Sequence, residues 1–225
     1  VLDEKSSSQI QLQGGWGANR IVGSLNLIFD NFSTQNIFKG KSWSPLPSGD
    51  GQRLSLSASS NGAYYQNYNI SFTEPWLGGK KPNALTVSVY RSVSSNGQEG
   101  NNREAIEILG LTLGVGKRLK NPDDYFTIYN GINFQQYKLI NSQSFFTFKD
   151  GFSNNVNYNV RLGRNSVDQL IFPRRGSNFS LGLKITPPYS MFDGVDDYSK
   201  VSGQEKYKYI EYYKWKYKSS WYSAF

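Results

Sequence analysis

Hydrophobic and polar residues alternate with a period of two along most of the chain, and clusters of Gly, Asn, Asp or Pro interrupt the alternation repeatedly. Period two is the side-chain period of a β-strand, whose successive side chains point to opposite faces. About ten such segments result, each roughly nine to eleven residues long, the length a tilted strand needs to cross a bilayer. Helical periodicity is nowhere convincing.

The first segment, residues 8–16, sets Ile10, Leu12, Gly14 and Trp16 against Gln9, Gln11 and Gln13. Three glutamines in alternation predict a wet face. The second, 21–30, places Leu25, Leu27 and Phe29 opposite Ser24 and Asn26; the third, 53–60, alternates Leu54, Leu56 and Ala58 with serines. Segments 65–75 and 84–93 flank the breaker-rich Trp76-Leu77-Gly78-Gly79-Lys80-Lys81-Pro82, which predicts a hairpin. Segments 105–118 and 125–138 flank a Pro- and Asp-containing turn. The eighth, 155–164, sets Val156, Tyr158, Val160 and Leu162 against asparagines and Arg161, and the ninth, 177–186, sets Phe179, Leu181, Leu183 and Ile185 against small groups and Lys184. The last, 209–225, is crowded with Tyr and Trp, as an interfacial aromatic girdle would be.

A soluble sandwich fits this pattern badly, because asparagines and charges facing a dry core are costly. A transmembrane barrel fits it, with lipid on one face of each strand and a wet lumen on the other. The expected fold is therefore all-β: an antiparallel up-and-down transmembrane β-barrel. Compact and long polar connections alternate in that reading, and the long 31–52 stretch is an exception on the turn side.

Composition strengthens this. Hydrophobic residues are 37% and aromatics 16%, with mean hydropathy of -0.57, low for a globular core but suited to a chain with one lipid face. No apolar run approaches the ~18 residues of a spanning helix. Val1-Leu2-Asp3-Glu4 has none of the features of a signal peptide, so the expectation is that processing has occurred or the piece begins inside a longer protein.

Charge and chemistry narrow the function. The net charge is +8, but the basic residues are scattered among turns rather than gathered as nucleic-acid binding would need. Lys80, Lys81, Lys117, Arg118, Lys120, Arg164, Arg174 and Arg175 all fall in or beside alternate connections, which in an up-and-down barrel places them on one rim; contact with anionic headgroups or the protein's own soluble domains is one expectation, and plainly solvated charged turns are the other. With no His and no Cys, histidine triads, thiolate metal sites and disulfides are excluded. Asp193, Asp196 and Asp197 lack EF-hand spacing and read as a solvated acidic cluster. No cofactor, metal or enzymatic activity is expected. Gly14-Gly15-Trp16-Gly17 offers little side-chain packing, so strand pairing there should open easily, although a plain turn entry uses the same residues.

Three stretches in order carry a family resemblance: Gly23-Ser24-Leu25-Asn26-Leu27-Ile28-Phe29-Asp30-Asn31-Phe32, then Ser71-Phe72-Thr73-Glu74-Pro75-Trp76, then Arg164-Asn165-Ser166-Val167-Asp168-Gln169 leading to Phe172-Pro173-Arg174-Arg175-Gly176-Ser177. They resemble the Asn-Phe after strand two, the Thr-x-Pro-aromatic turn and the Phe-Pro-x-x-Gly-Ser before strand nine of the outer-membrane protein assembly factor family, BamA. That family's barrel has more strands, and its soluble amino-terminal repeats and later Arg-Gly loop motif are not found here. The resemblance therefore implies strands one to ten of a larger barrel, spanning residues 1–225.

It further implies a location in the bacterial outer membrane and ATP-independent insertion of nascent outer-membrane proteins through a seam between first and last strands. Accessory envelope subunits such as lipoproteins, and the lipid bilayer, would be partners. Gln9, Ile10, Gln11, Leu12, Gln13, Gly14 and Gly15 would then pair with substrate strands. The alternative is a self-contained small barrel acting as a pore or adhesin, which the aromatic terminus Trp221-Tyr222-Ser223-Ala224-Phe225 would suit.

Overall fold

A computed structural model describes residues 8–17, 20–43, 46–79, 81–142, 148–195 and 197–223. Ten strands follow one another: β1 (Gln9–Gly17), β2 (Arg20–Phe32), β3 (Gln52–Ser60), β4 (Tyr65–Glu74), β5 (Asn83–Ser95), β6 (Ala105–Arg118), β7 (Phe126–Ile140), β8 (Gly151–Asn165), β9 (Gly176–Ile185) and β10 (Tyr213–Tyr222). They form one sheet in sequence order, each antiparallel to its neighbours. The sheet is open: β1 bonds only to β2, and β10 only to β9.

Register partners share a face, so the alternation of each strand adds up across the sheet. Leu25, Leu56 with Leu27, Ile70, Val89, Leu111, Phe134 and Val156 belong to one apolar face. Ser24, Asn26, Ser57, Asn69, Thr112, Asn133 and Asn157 belong to the other. The structure is inside-out relative to a water-soluble domain. Leu12 is 79% exposed, Ile132 54% and Trp215 62%, all on the apolar face, while Asn157 is 2% exposed on the polar one. Among the described residues the buried hydrophobic side chains are Val93, Ala105 and Leu139, far too few to offset the conformational entropy of folding in water. An apolar face left this exposed is the kind a bilayer covers in a transmembrane barrel; we call it the lipid face, and the opposite face, which carries the cavities lined by Ser57 and by Lys216, the lumenal face.

The lumenal face is tied together by amides. Thr112 Oγ1 donates to Asn133 (2.9 Å), Asn133 Nδ2 to Asn157 (3.0 Å), and Asn157 Nδ2 to Asn155 (3.2 Å). The buried amides of Asn155 and Asn157 thus each have a partner, which removes most of their desolvation cost. Tyrosine rings occupy the space above glycines: Tyr90 of β5 covers Gly110 of β6, and Tyr129 of β7 covers Gly114 of β6 and Gly131 of its own strand.

The long connection 33–51, an irregularity by sequence, is a folded unit with a polar centre. Buried Ser33 donates to Asp50 (2.6 Å), and Gln52 accepts from the Thr34 N–H (2.8 Å). Gln52 Nε2 also donates to Glu74 (2.8 Å), whose other oxygen accepts the Trp76 N–H (2.9 Å). Glu74 therefore links the Thr-x-Pro-aromatic turn to the preceding connection.

A second connection, 186–212, protects an edge. β8 runs past the end of β9, which pairs only with Tyr158 to Asn165. The uncovered stretch is capped by the returning chain: Asn154 donates its N–H to the Lys208 carbonyl (2.8 Å), and Ile210 donates back to Asn154 (2.8 Å). Covering the unpaired groups this way removes a site for aggregation. The strand expected over 209–225 accordingly begins only at Tyr213.

Candidate functional site

β1 carries the residues singled out for strand pairing. Gln9, Gln11 and Gln13 pair with Ile28, Asn26 and Ser24 on the lumenal face, and Ile10 and Leu12 pair with Leu27 and Leu25 on the lipid face. All five are exposed. At the end of the strand Gly14 faces Gly23, a cross-strand pair with no side chains. A Cβ on Gly15 would meet nothing within 4 Å, and one on Gly14 only the Val22 carbonyl at 3.9 Å. These glycines are not forced by packing or by left-handed backbone. What they contribute is the absence of side-chain contacts that would hold β1 to β2.

The basic rim residues lie as the topology requires, since connections of an antiparallel meander alternate between the two ends. Lys81, Lys117, Arg118, Lys120, Arg174 and Arg175 all fall at the end that also holds the 33–51 connection; Lys80 lies outside the described residues. Arg164 differs from these. Its guanidinium pairs with Asp123 (2.8 Å), donates to Ser166 (2.8 Å) and Ser177 (2.6 Å), and lies over the Tyr125 and Phe126 rings. It clamps two adjacent connections rather than presenting a free charge. The sequence reading takes Phe172 only as part of a motif and leaves Leu170 and Ile171 aside; the three are 87%, 91% and 74% exposed at the same rim.

The motif around Asp168 closes the β8–β9 connection. Its Oδ1 accepts the N–H groups of Arg174 (3.0 Å) and Arg175 (3.1 Å). The Arg175 N–H, with help from that of Arg174, holds the Asp168 carboxyl below its ordinary pKa. A depressed carboxylate stabilises the connection at neutral pH and loses that contribution as pH falls through its folded value. Amide exchange of Arg174 and Arg175 should accelerate at pH below the usual aspartate range, beyond the intrinsic pH trend; in Asp168→Asn that extra acceleration should vanish.

On the other rim, in the 186–212 connection, Asp193 accepts from the Tyr198 hydroxyl, a bond that pushes Tyr198 up to about 12. Asp197 accepts from Ser199 (2.6 Å) and pairs with Lys200 (3.5 Å). Both carboxylates are engaged within the loop, and Asp196 lies outside the described residues. Among the described residues no group of three or more His, Cys, Asp or Glu could hold a metal ion.

A last feature went unread in the sequence. The lumenal positions of β10 include Lys214, Lys216 and Lys218, and register sets Lys214 directly opposite Lys184, and Lys216 opposite Gly182, which faces Arg161. Like charges directly opposite one another destabilise a sheet. The alternation Tyr-Lys-Trp-Lys-Tyr-Lys was visible, but its aromatics drew the reading toward a membrane girdle.

A family model described as the Omp85 superfamily domain matches residues 48–225. The chain belongs to the Omp85 superfamily. The fold agrees with that of a crystal structure titled as BamA from Haemophilus ducreyi lacking POTRA domains 1-3, at a TM-score of 0.57 and 19% identity. That similarity covers 82% of this chain and 35% of the other, so this Omp85 chain spans about a third of the length of the solved relative. No curated protein matches it. None of its helices, among the described residues, is long and apolar enough to cross a membrane.

Proposed function

We propose that this chain is the amino-terminal ten strands of a larger outer-membrane barrel that folds and inserts other barrel proteins without ATP. The observation that carries the reading is the position of β1 in an Omp85 chain: at the sheet's end, hydrogen-bonded on one side, and joined to β2 through a Gly14–Gly23 pair. In lipid an unpaired backbone N–H or C=O costs several kcal/mol. An incoming strand that pairs with β1 satisfies its own backbone groups and those of the edge together, so insertion runs downhill without nucleotide. Pairing through the backbone places little demand on side chains, which suits many substrates.

In this reading the soluble amino-terminal repeats and the later strands belong to the parent protein outside residues 1–225. Lys81, Lys117, Arg118, Lys120, Arg174 and Arg175 face anionic headgroups or those soluble repeats, and accessory lipoproteins assemble around them. The open sheet supports this over a self-contained ten-stranded barrel, which would pair β1 with β10.

Photo-crosslinkers at Gln9, Ile10 and Leu12 test the seam in cells assembling outer-membrane proteins. Adducts with substrate strands at alternate positions are expected. Cells that assemble such proteins normally yet give no adduct at any of the three positions would overturn the proposal.

A further inference from the structure

The lumenal wall at β8–β10 is a one-signed groove. Lys214, Lys216 and Lys218 form one bank, Arg161 the other, and Lys184 closes one end. The floor between them is small: Gly182, where an added Cβ would meet only backbone oxygens at 3.8 and 3.9 Å, and Ser180. Asn159 and Tyr212 complete the lining of a cavity of about 660 Å³ that contains no acidic residue. All five cations are exposed, and none is in an ion pair among the described residues. The lumenal positions of β3 to β10 hold no Asp or Glu; the acid at that face is Asp30 of β2, already paired with Arg53. The positive field is therefore not neutralised from within the wall, and a low-dielectric sheet behind it focuses that field into the groove.

We propose that this groove binds an acidic polypeptide segment in extended conformation, lying along β9. Two observations select that occupant. Banks on strands two apart stand about 10 Å from each other, the width of one extended chain. Lysines at alternate positions of β10 repeat about every 7 Å, which is the repeat of same-side residues in such a chain. Carboxylates at every second residue meet Lys214, Lys216 and Lys218 in turn, and Arg161 receives one from the opposite bank through its two-pronged guanidinium. Binding relieves the Lys184–Lys214 repulsion that the empty wall carries. The inference rests on the polar face being lumenal and not on the seam at β1.

The test uses the full-length protein in detergent micelles and fluorescence anisotropy of a labelled peptide of alternating Glu and Ser. Comparison probes are the same composition with its Glu residues in one block, and inorganic polyphosphate. The alternating peptide should bind tightest, with affinity falling as salt rises. The variant K214Q/K216Q/K218Q should weaken it roughly tenfold or more, with unchanged circular dichroism and unchanged crosslinking at β1. Equal binding to the variant, no binding of the alternating peptide to the unaltered protein, or equal binding of the blocked peptide or polyphosphate overturns the extended acidic occupant. Loss of β1 crosslinking with peptide binding intact would remove the seam proposal alone.

Discussion

Gly176→Ala is expected to cost about 3 kcal/mol or more and to disorder the β8–β9 connection. Gly176 sits at φ +108, a region that L side chains rarely adopt, and an added Cβ would stand 2.2 Å from the Ser166 carbonyl oxygen and 2.8 Å from the Val167 Cα. Both obstacles are backbone, so no rotamer change relieves them. The backbone of Ser166 cannot withdraw freely, because it donates its N–H to the Ser177 carbonyl (2.9 Å) and its hydroxyl accepts from Arg164 (2.8 Å). The control lies in the same strand: Gly182→Ala meets nothing closer than 3.8 Å and should be nearly silent. Chemical unfolding of both variants in lipid vesicles measures the difference. Similar midpoints would show that the glycine of the Phe-Pro-x-x-Gly-Ser motif is not a steric requirement.

Leu111→Arg should destabilise the protein in a bilayer by about 2–4 kcal/mol, the cost of a cation on the lipid face near the midplane. Leu111 is central in β6, 37% exposed, and flanked in register by Val89 and Phe134. Ser57→Arg places the same side chain on the opposite face, where Ser57 lines a cavity with Asn26 and Asn69. There the head group stays in water, and the expected loss is well under half as large. Urea unfolding in phosphatidylcholine vesicles separates the two. Equal losses, or a larger one for Ser57→Arg, would reverse the assignment of lipid and lumen.

Much of the architecture was legible because a strand's two faces are written into adjacent residues. All ten segments correspond to strands, with ends displaced by a few residues: the eighth, expected over 155–164, is Gly151–Asn165. Its extra residues 151–154, at the end opposite the 33–51 connection, were hidden because they pair with β7 and with the chain near Lys208, more than fifty positions away. The connection at 33–51 was opaque for the same reason. Ser33 and Asp50, or Gln52 and Glu74, are ordinary loop residues until folding brings them within hydrogen-bond distance.

Site residues divide along this line. Gln9, Gln11 and Gln13 stood out because three glutamines alternate within one strand, and their face could be read directly. Arg164 resembled the other rim cations in sequence, and only its contacts with Asp123, Ser166 and Ser177 made it a clamp.

By itself, then, the sequence determined what is local: the period-two alternation, the breakers that set the number of strands, and the inside-out polarity that calls for a membrane. The tertiary structure decided what register decides. It placed Lys184 and Arg161 beside the β10 lysines, gave Gly176 its steric necessity, and left β1 bonded on one side. The physical reason is that alternation tells each side chain which face it occupies, whereas its neighbours on that face come from strands whose alignment is fixed by backbone hydrogen bonds along the whole sheet.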